Sequence, residues 1–118
     1  MKRLTKLTFI SILGVSAVTQ ATTKTVLFCK DIAQPDLKSI TIQENPSIGQ
    51  PGLLELIETH NDGSTKELYA LETDLNEGWI PMSPRDGTSR ILLRKEGKWT
   101  VAQNKGDYRV FNEATCMK

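Results

Sequence analysis

The run from Ser89 to Cys116, SRILLRKEGKWTVAQNKGDYRVFNEATC, leaves this chain few options. Two turn signals, Glu96-Gly97 and Lys105-Gly106, cut it into Arg90–Arg94, Lys98–Gln103 and Tyr108–Asn112, three antiparallel strands. Successive side chains on a strand point to opposite faces, so loop length decides which residues share a face. A two-residue loop at Glu96-Gly97 would set Trp99 and Val101 beside Arg90 and Arg94. A three-residue loop, Lys95-Glu96-Gly97, pairs Leu93 with Trp99 and Ile91 with Val101, and puts Gly97 where a G1 bulge needs a left-handed residue. The expectation is the second, because it leaves Arg90, Arg94 and Lys98 in water. An even loop around Lys105-Gly106 then pairs Val101 with Val110 and Gln103 with Tyr108. The resulting apolar face is Ile91, Leu93, Trp99, Val101, Tyr108 and Val110, with Arg90, Arg94, Lys98 and Arg109 opposite.

The other end of the chain reads as an address. Lys2, Arg3 and Lys6 precede an apolar Leu7–Val18 and then Thr19-Gln20-Ala21, the order of a secretory signal peptide over residues 1–21. Its apolar part is short of the roughly 20 residues that span a bilayer. Cleavage is expected after Ala21, with Ala17 the alternative. Removing 21 of 118 residues leaves 97, enough for a single domain over 22–118. That domain carries 12 basic and 14 acidic side chains, a net of −2, which gives no reason to expect nucleic acid or an anionic membrane as partner. The expected location is periplasmic or secreted, with no stable membrane insertion after cleavage.

Cys29 and Cys116 are the only cysteines, 87 positions apart. An even count in a short exported chain favours a disulfide. Redox pairs keep their cysteines close in sequence, and a lipid-attachment cysteine follows a small residue, whereas Phe28 precedes Cys29.

Between the ends, Lys24–Lys30 is an apolar β-forming run, and Leu37–Glu44 alternates with Ile40 and Ile42 inward. Asn45–Gly52 holds two prolines and two glycines and reads as a loop. Leu53–His60 and Thr65–Leu71 flank Asn61-Asp62-Gly63-Ser64, a hairpin signal. A two-residue turn would oppose Glu58 to Glu67, while a three-residue turn opposes Glu58 to Lys66 and Leu56 to Leu68. The charges favour the latter, although Tyr69 and Leu71 pack well in the former. Trp79-Ile80 reads as a short edge strand and Ser83–Gly87 as a turn. No segment shows a convincing helical period. Seven or eight strands at short spacing, mostly meander, give an all-β fold, a small antiparallel β-barrel or sandwich closed by Cys29–Cys116.

Chemistry is sparse. His60 is the single histidine and stands beside a turn with no ligand spacing around it, so it reads as a solvated turn residue. Without a second histidine or a free thiol the usual nucleophile–base pairs cannot be assembled. The chain is therefore not expected to be an enzyme, and no cofactor or metal is expected. Charge is unevenly spread: Asp31–Glu77 has ten acidic residues against Lys38 and Lys66, and Trp79–Lys118 has eight basic against four acidic. Such polarity can steer a charged partner, or simply solvate outward positions. The candidate binding loop is Asp74–Gly87, with Trp79, Ile80, Met82 and Arg85, residue types enriched at interfaces.

In layout the chain is similar to the periplasmic inhibitors of c-type lysozyme, on the placement of Cys29 and Cys116 and the strand count. The resemblance implies a small antiparallel β-barrel acting by blocking an enzyme cleft. That family's inhibitory loop carries Ser-Gly-x-x-Tyr, which has no counterpart here; the nearest stretch, Gly78–Ser83, lacks those residues at that spacing. No residue role is carried over. The sequence thus points to a binding or inhibitory module of the cell envelope with a protein or envelope ligand. The alternatives are a structural component of an envelope or secreted assembly acting through a sheet edge, or a small hydrolase.

Overall fold

Residues 22–118 are described by the computed structural model, and the leader expected over 1–21 lies outside them. Nine strands follow in order: β1 Lys24–Lys30, β2 Leu37–Glu44, β3 Leu53–His60, β4 Thr65–Leu71, β5 Trp79–Pro81, β6 Arg90–Lys95, β7 Lys98–Lys105, β8 Tyr108–Glu113 and β9 Thr115–Met117. Among the described residues a 3-10 turn, Pro46–Ile48, lies in the loop after β2, and one short α-helix, α1 (Glu72–Glu77), links β4 to β5. The strands form two antiparallel sheets, β4-β3-β2-β1-β9 and β5-β6-β7-β8. This is the expected all-β fold as a sandwich rather than a closed barrel. The last strand does pair with the first, but within one sheet, and the chain passes between the sheets at Ala114.

Cys29 lies directly opposite Cys116 across β1 and β9, and the two are joined by the expected disulfide with their Cα atoms 4.0 Å apart. The inner face of the five-stranded sheet presents Leu27, Ile40, Ile42, Leu54 and Leu56, all buried. Ile80, Leu92 and Val101 meet them from the second sheet, each with no exposed surface. At roughly 1.5–3 kcal/mol for each fully buried large aliphatic side chain, this apolar middle is the main favourable term for the fold.

The β3–β4 hairpin takes the three-residue turn, with Glu58 opposite Lys66 and Leu56 opposite Leu68. Its corner is Asn61-Asp62-Gly63, closed by the Gly63 N–H on the His60 carbonyl at 3.0 Å. Asp62 accepts from both the N–H and the hydroxyl of Ser64, and the Ser64 hydroxyl is the main reason its carboxyl lies below the ordinary 3.8. The alternative register is excluded, and Tyr69 and Leu71 are exposed.

The β6–β7 hairpin departs from expectation. It closes through a two-residue turn, Glu96-Gly97, with φ of 54° and 79°. Two left-handed corner residues are what the right-handed twist of a two-residue hairpin demands. Arg94 is then opposite Trp99, and Leu92 opposite Val101. The expected apolar face is therefore split: Trp99 and Val101 point inward, joined by Leu92, and Ile91 and Leu93 point outward. Arg90, expected in water, is 2% exposed. The expected register would bury two aliphatics of RILLRK, Ile91 and Leu93, and the observed one buries only Leu92, so what decides is a set of partners for Arg90 far away in sequence.

The next turn, Gly106-Asp107, moves the β7–β8 register two residues from the expected one. Gln103 now faces Val110, and Val101 faces Asn112. A two-residue slip keeps every side chain on its face, so Val110 still shares a side with Val101, while Tyr108 moves opposite Lys105 at the last pair of the ladder and is exposed.

The expectation that no helix forms also needs correction. α1 is too short to show a helical period in sequence, and it ends at Gly78, a left-handed cap at φ 79° whose N–H bonds the Asp74 and Leu75 carbonyls. Trp79–Pro81 is the expected edge strand, and Arg85 and Thr88 bridge across the expected turn through Asp86-Gly87.

Candidate functional site

The proposed loop residues do not form one surface. Because Trp79–Pro81 is a strand, its side chains alternate. Ile80 is fully buried in the core, and Met82, just beyond the strand, is buried with it. Arg85 is half-buried, its Nε 3.5 Å from an Asp36 oxygen. Only Trp79, 47% exposed, faces outward. Alternation also shows what Trp79 joins. On the outer face of the second sheet, one row across the strands runs Pro81, Ile91, Ala102, Phe111. The adjoining outward row runs Trp79, Leu93, Thr100, Glu113.

Glu113, at one corner, is the only charge in those two rows. Phe111 is 41% exposed, while Ala102 and Thr100 are buried despite facing out. Small residues at the centre of such a face are covered by larger neighbours. Lys95 contributes by stretching from β6 across β7 until its Nζ stands 4.4 Å from the centre of the Phe111 ring, an amphipathic stem lying over apolar surface. Lys95 and Lys98 are directly opposite each other, a like-charge pair that costs stability unless an anion answers it. On the same face Trp79, Pro81, Ile91, Ala102, Asn104 and Arg109 line a depression of about 250 Å³. Arg109 spends its Nε on the Asn104 side-chain oxygen Oδ1 at 3.1 Å, which orients the rest of the guanidinium. The surface thus has an apolar floor, an aromatic at either side and cations at the rim.

A second constellation lies at one end of the sandwich interior and was missed in the sequence. Glu58 of β3 is fully buried and accepts hydrogen bonds from the Ser83 N–H (2.8 Å) and hydroxyl. Arg90 donates from Nε to the Ser83 carbonyl at 3.0 Å, and from Nη1 to Gln34 at 3.1 Å and to both Asp36 oxygens at 3.0 and 3.1 Å. Its Nη2 is 3.9 Å from Glu58 Oε1. His60, expected to be solvated, is half-buried between Glu58 (3.3 Å) and Asp36 (3.6 Å). One signal was available: Leu54, Leu56, Glu58 and His60 alternate onto a single face, so a carboxylate at an inward position calls for a buried cation.

Chemically this cluster is spent on itself. The Ser83 hydroxyl points its proton at Glu58, both are buried, and each charge has its partner. A buried, hydrogen-bonded network of this kind fixes how two sheets meet. Among the described residues no group of His, Cys, Asp or Glu has the arrangement of a metal site.

No family model matches this chain. Comparison with curated proteins and with solved structures likewise yields no match.

Proposed function

We propose that this is a binding module of an oxidising, extracytoplasmic compartment, which docks a partner protein on the outer face of the β5–β8 sheet. The observation that carries the reading is the pair of outward rows centred on Trp79, Ile91, Leu93 and Phe111, apolar up to a rim of Lys95, Lys98 and Arg109. Contiguous apolar patches of this kind are uncommon on monomers and mark contact sites. The rim favours a partner that presents an apolar side chain beside carboxylates, the apolar group entering the depression next to Trp79 and an acid meeting Arg109. The disulfide supports the compartment, as does the leader read in the sequence.

The test uses the folded, oxidised domain as bait against envelope extract and host secretions, with Trp79→Ala and Phe111→Ala as matched baits. The expected outcome is one stoichiometric partner held by the parent and lost, at least tenfold, by both variants. A partner held equally by all three baits places the contact elsewhere. Concentration-dependent self-association unaffected by these substitutions would favour the assembly reading, for which the seven-residue edge strand β4 offers the open backbone.

A further inference from the structure

The interior of the sandwich ends differently at its two ends. One end is filled by the Glu58–Arg90 cluster; the other is not filled. There a cleft of about 550 Å³ is lined by both sheets and by α1, within the size range of small-molecule sites. Its walls are Val26 and Leu54 from the first sheet, Leu75 from α1, and Trp99 from the second sheet. Three cations line it as well, Lys24, Arg94 and Lys118, with Glu44 and Glu72 on the side that adjoins the Asn45–Gly52 loop.

Arg94 is the built element. Its guanidinium carbon lies 5.4 Å from the centre of the Trp99 ring, and its Nη2 donates to the Asn76 carbonyl of α1 at 2.8 Å. Its backbone N–H bonds the Gly78 carbonyl at 2.8 Å, and only a glycine lets the chain come so near, since a Cβ at Gly78 would sit 2.8 Å from Arg94 Cβ. The helix cap, the tryptophan and the close backbone approach together hold a fixed cation at the mouth of an apolar slot. Among the described residues its guanidinium donates to the Asn76 carbonyl alone, and the rest of the fork faces the cleft for a ligand.

We infer that this cleft binds a small anionic amphiphile, with an alkyl chain between Val26, Leu54, Leu75 and Trp99 and a carboxylate on Arg94. The site is separate from the outer face, which lies on the other side of the β5–β8 sheet.

The probe is decanoate below its micelle-forming concentration, with decyltrimethylammonium as the control of opposite charge. In a Trp79→Phe background, Trp99 is the only tryptophan and its emission reports directly on the cleft. A saturable change with decanoate, and none with the cation, is expected. Arg94→Gln should weaken decanoate at least about tenfold, the loss of one charge-assisted hydrogen bond. Leu75→Asp puts a charge on the half-buried side chain by which α1 meets the core and should remove binding, with circular dichroism and the intact disulfide verifying the fold. Calorimetric titration of the unmodified domain provides a readout free of either substitution. The inference is overturned if decanoate produces no saturable signal by both methods, if the cation binds equally, or if Arg94→Gln leaves affinity unchanged.

Discussion

Replacing Arg90 by methionine is the sharpest test of how the two sheets are joined. Methionine keeps much of the apolar stem but supplies no donor. The change strips the Ser83 carbonyl, Gln34 and both Asp36 oxygens of bonds between 3.0 and 3.1 Å. It also leaves Glu58, which has no exposed surface, without its nearest permanent cation. Breaking a buried ion pair from one side costs about 3–5 kcal/mol, because the surviving charge stays buried. For a domain of this size each kcal/mol moves the melting midpoint by roughly 4–8 °C, so the midpoint should fall by at least roughly 12 °C. Urea denaturation of the oxidised protein gives the free energy itself. Arg90→Lys keeps the charge without the planar fork and should lose an intermediate amount. Adding Glu58→Gln to Arg90→Met should restore part of the loss, since the orphaned charge is then gone. If Arg90→Met falls within about 0.5 kcal/mol of the parent, as surface substitutions do, Arg90 is in water and the β6 register is the other one.

Two more outcomes follow from single residues. Gly78→Ala should cost clearly more than Gly97→Ala in urea denaturation. Both positions have φ of 79°, worth about 1–2 kcal/mol against a side chain, but only at Gly78 would the added carbon collide, at 2.8 Å from Arg94 Cβ. Equal costs would mean that β6 and α1 do not approach. At Asp62 the Ser64 hydroxyl favours the ionised carboxyl and lowers its pKa below 3.8 in the folded chain. Its contribution is complete above the unfolded value and disappears as pH falls through the lower folded one. An NMR titration midpoint for Asp62 at or above 3.8 refutes this, and Asp62→Asn should remove the corresponding acid-side slope in stability.

Much of the architecture was legible from local signals. Asn61-Asp62-Gly63 announces one hairpin, and the charges of Glu58 and Lys66 lean to the register found, against the pull of Tyr69 and Leu71 toward the other, while Ile40 and Ile42 alternate as a half-buried strand must. Two isolated cysteines in a short chain were enough to join β1 to β9. The second hairpin resisted because alternation favours the wrong face, with Ile91 and Leu93 on one side and Arg90 and Arg94 on the other, while the structure buries Arg90 with Leu92. The deciding contacts, Arg90 with Gln34 and Asp36, span more than fifty positions. The same distance effect hid the candidate sites. Trp79 was visible as a residue type enriched at interfaces, yet the row it joins runs through Leu93 and Thr100 across strands rather than Ile80 and Met82 along the chain. The cleft draws its walls from six different elements and the residue after β9, and α1 at its mouth is shorter than any period that could announce it.

The strand order has a consequence for synthesis. β1 is made early, but one of its two neighbours, β9, is encoded at residues 115–117. Until those residues leave the ribosome, one side of β1 has no backbone to pair with and Cys29 has no thiol to meet. A nascent chain halted anywhere upstream would therefore carry an unfinished sheet, whatever its other hairpins had achieved.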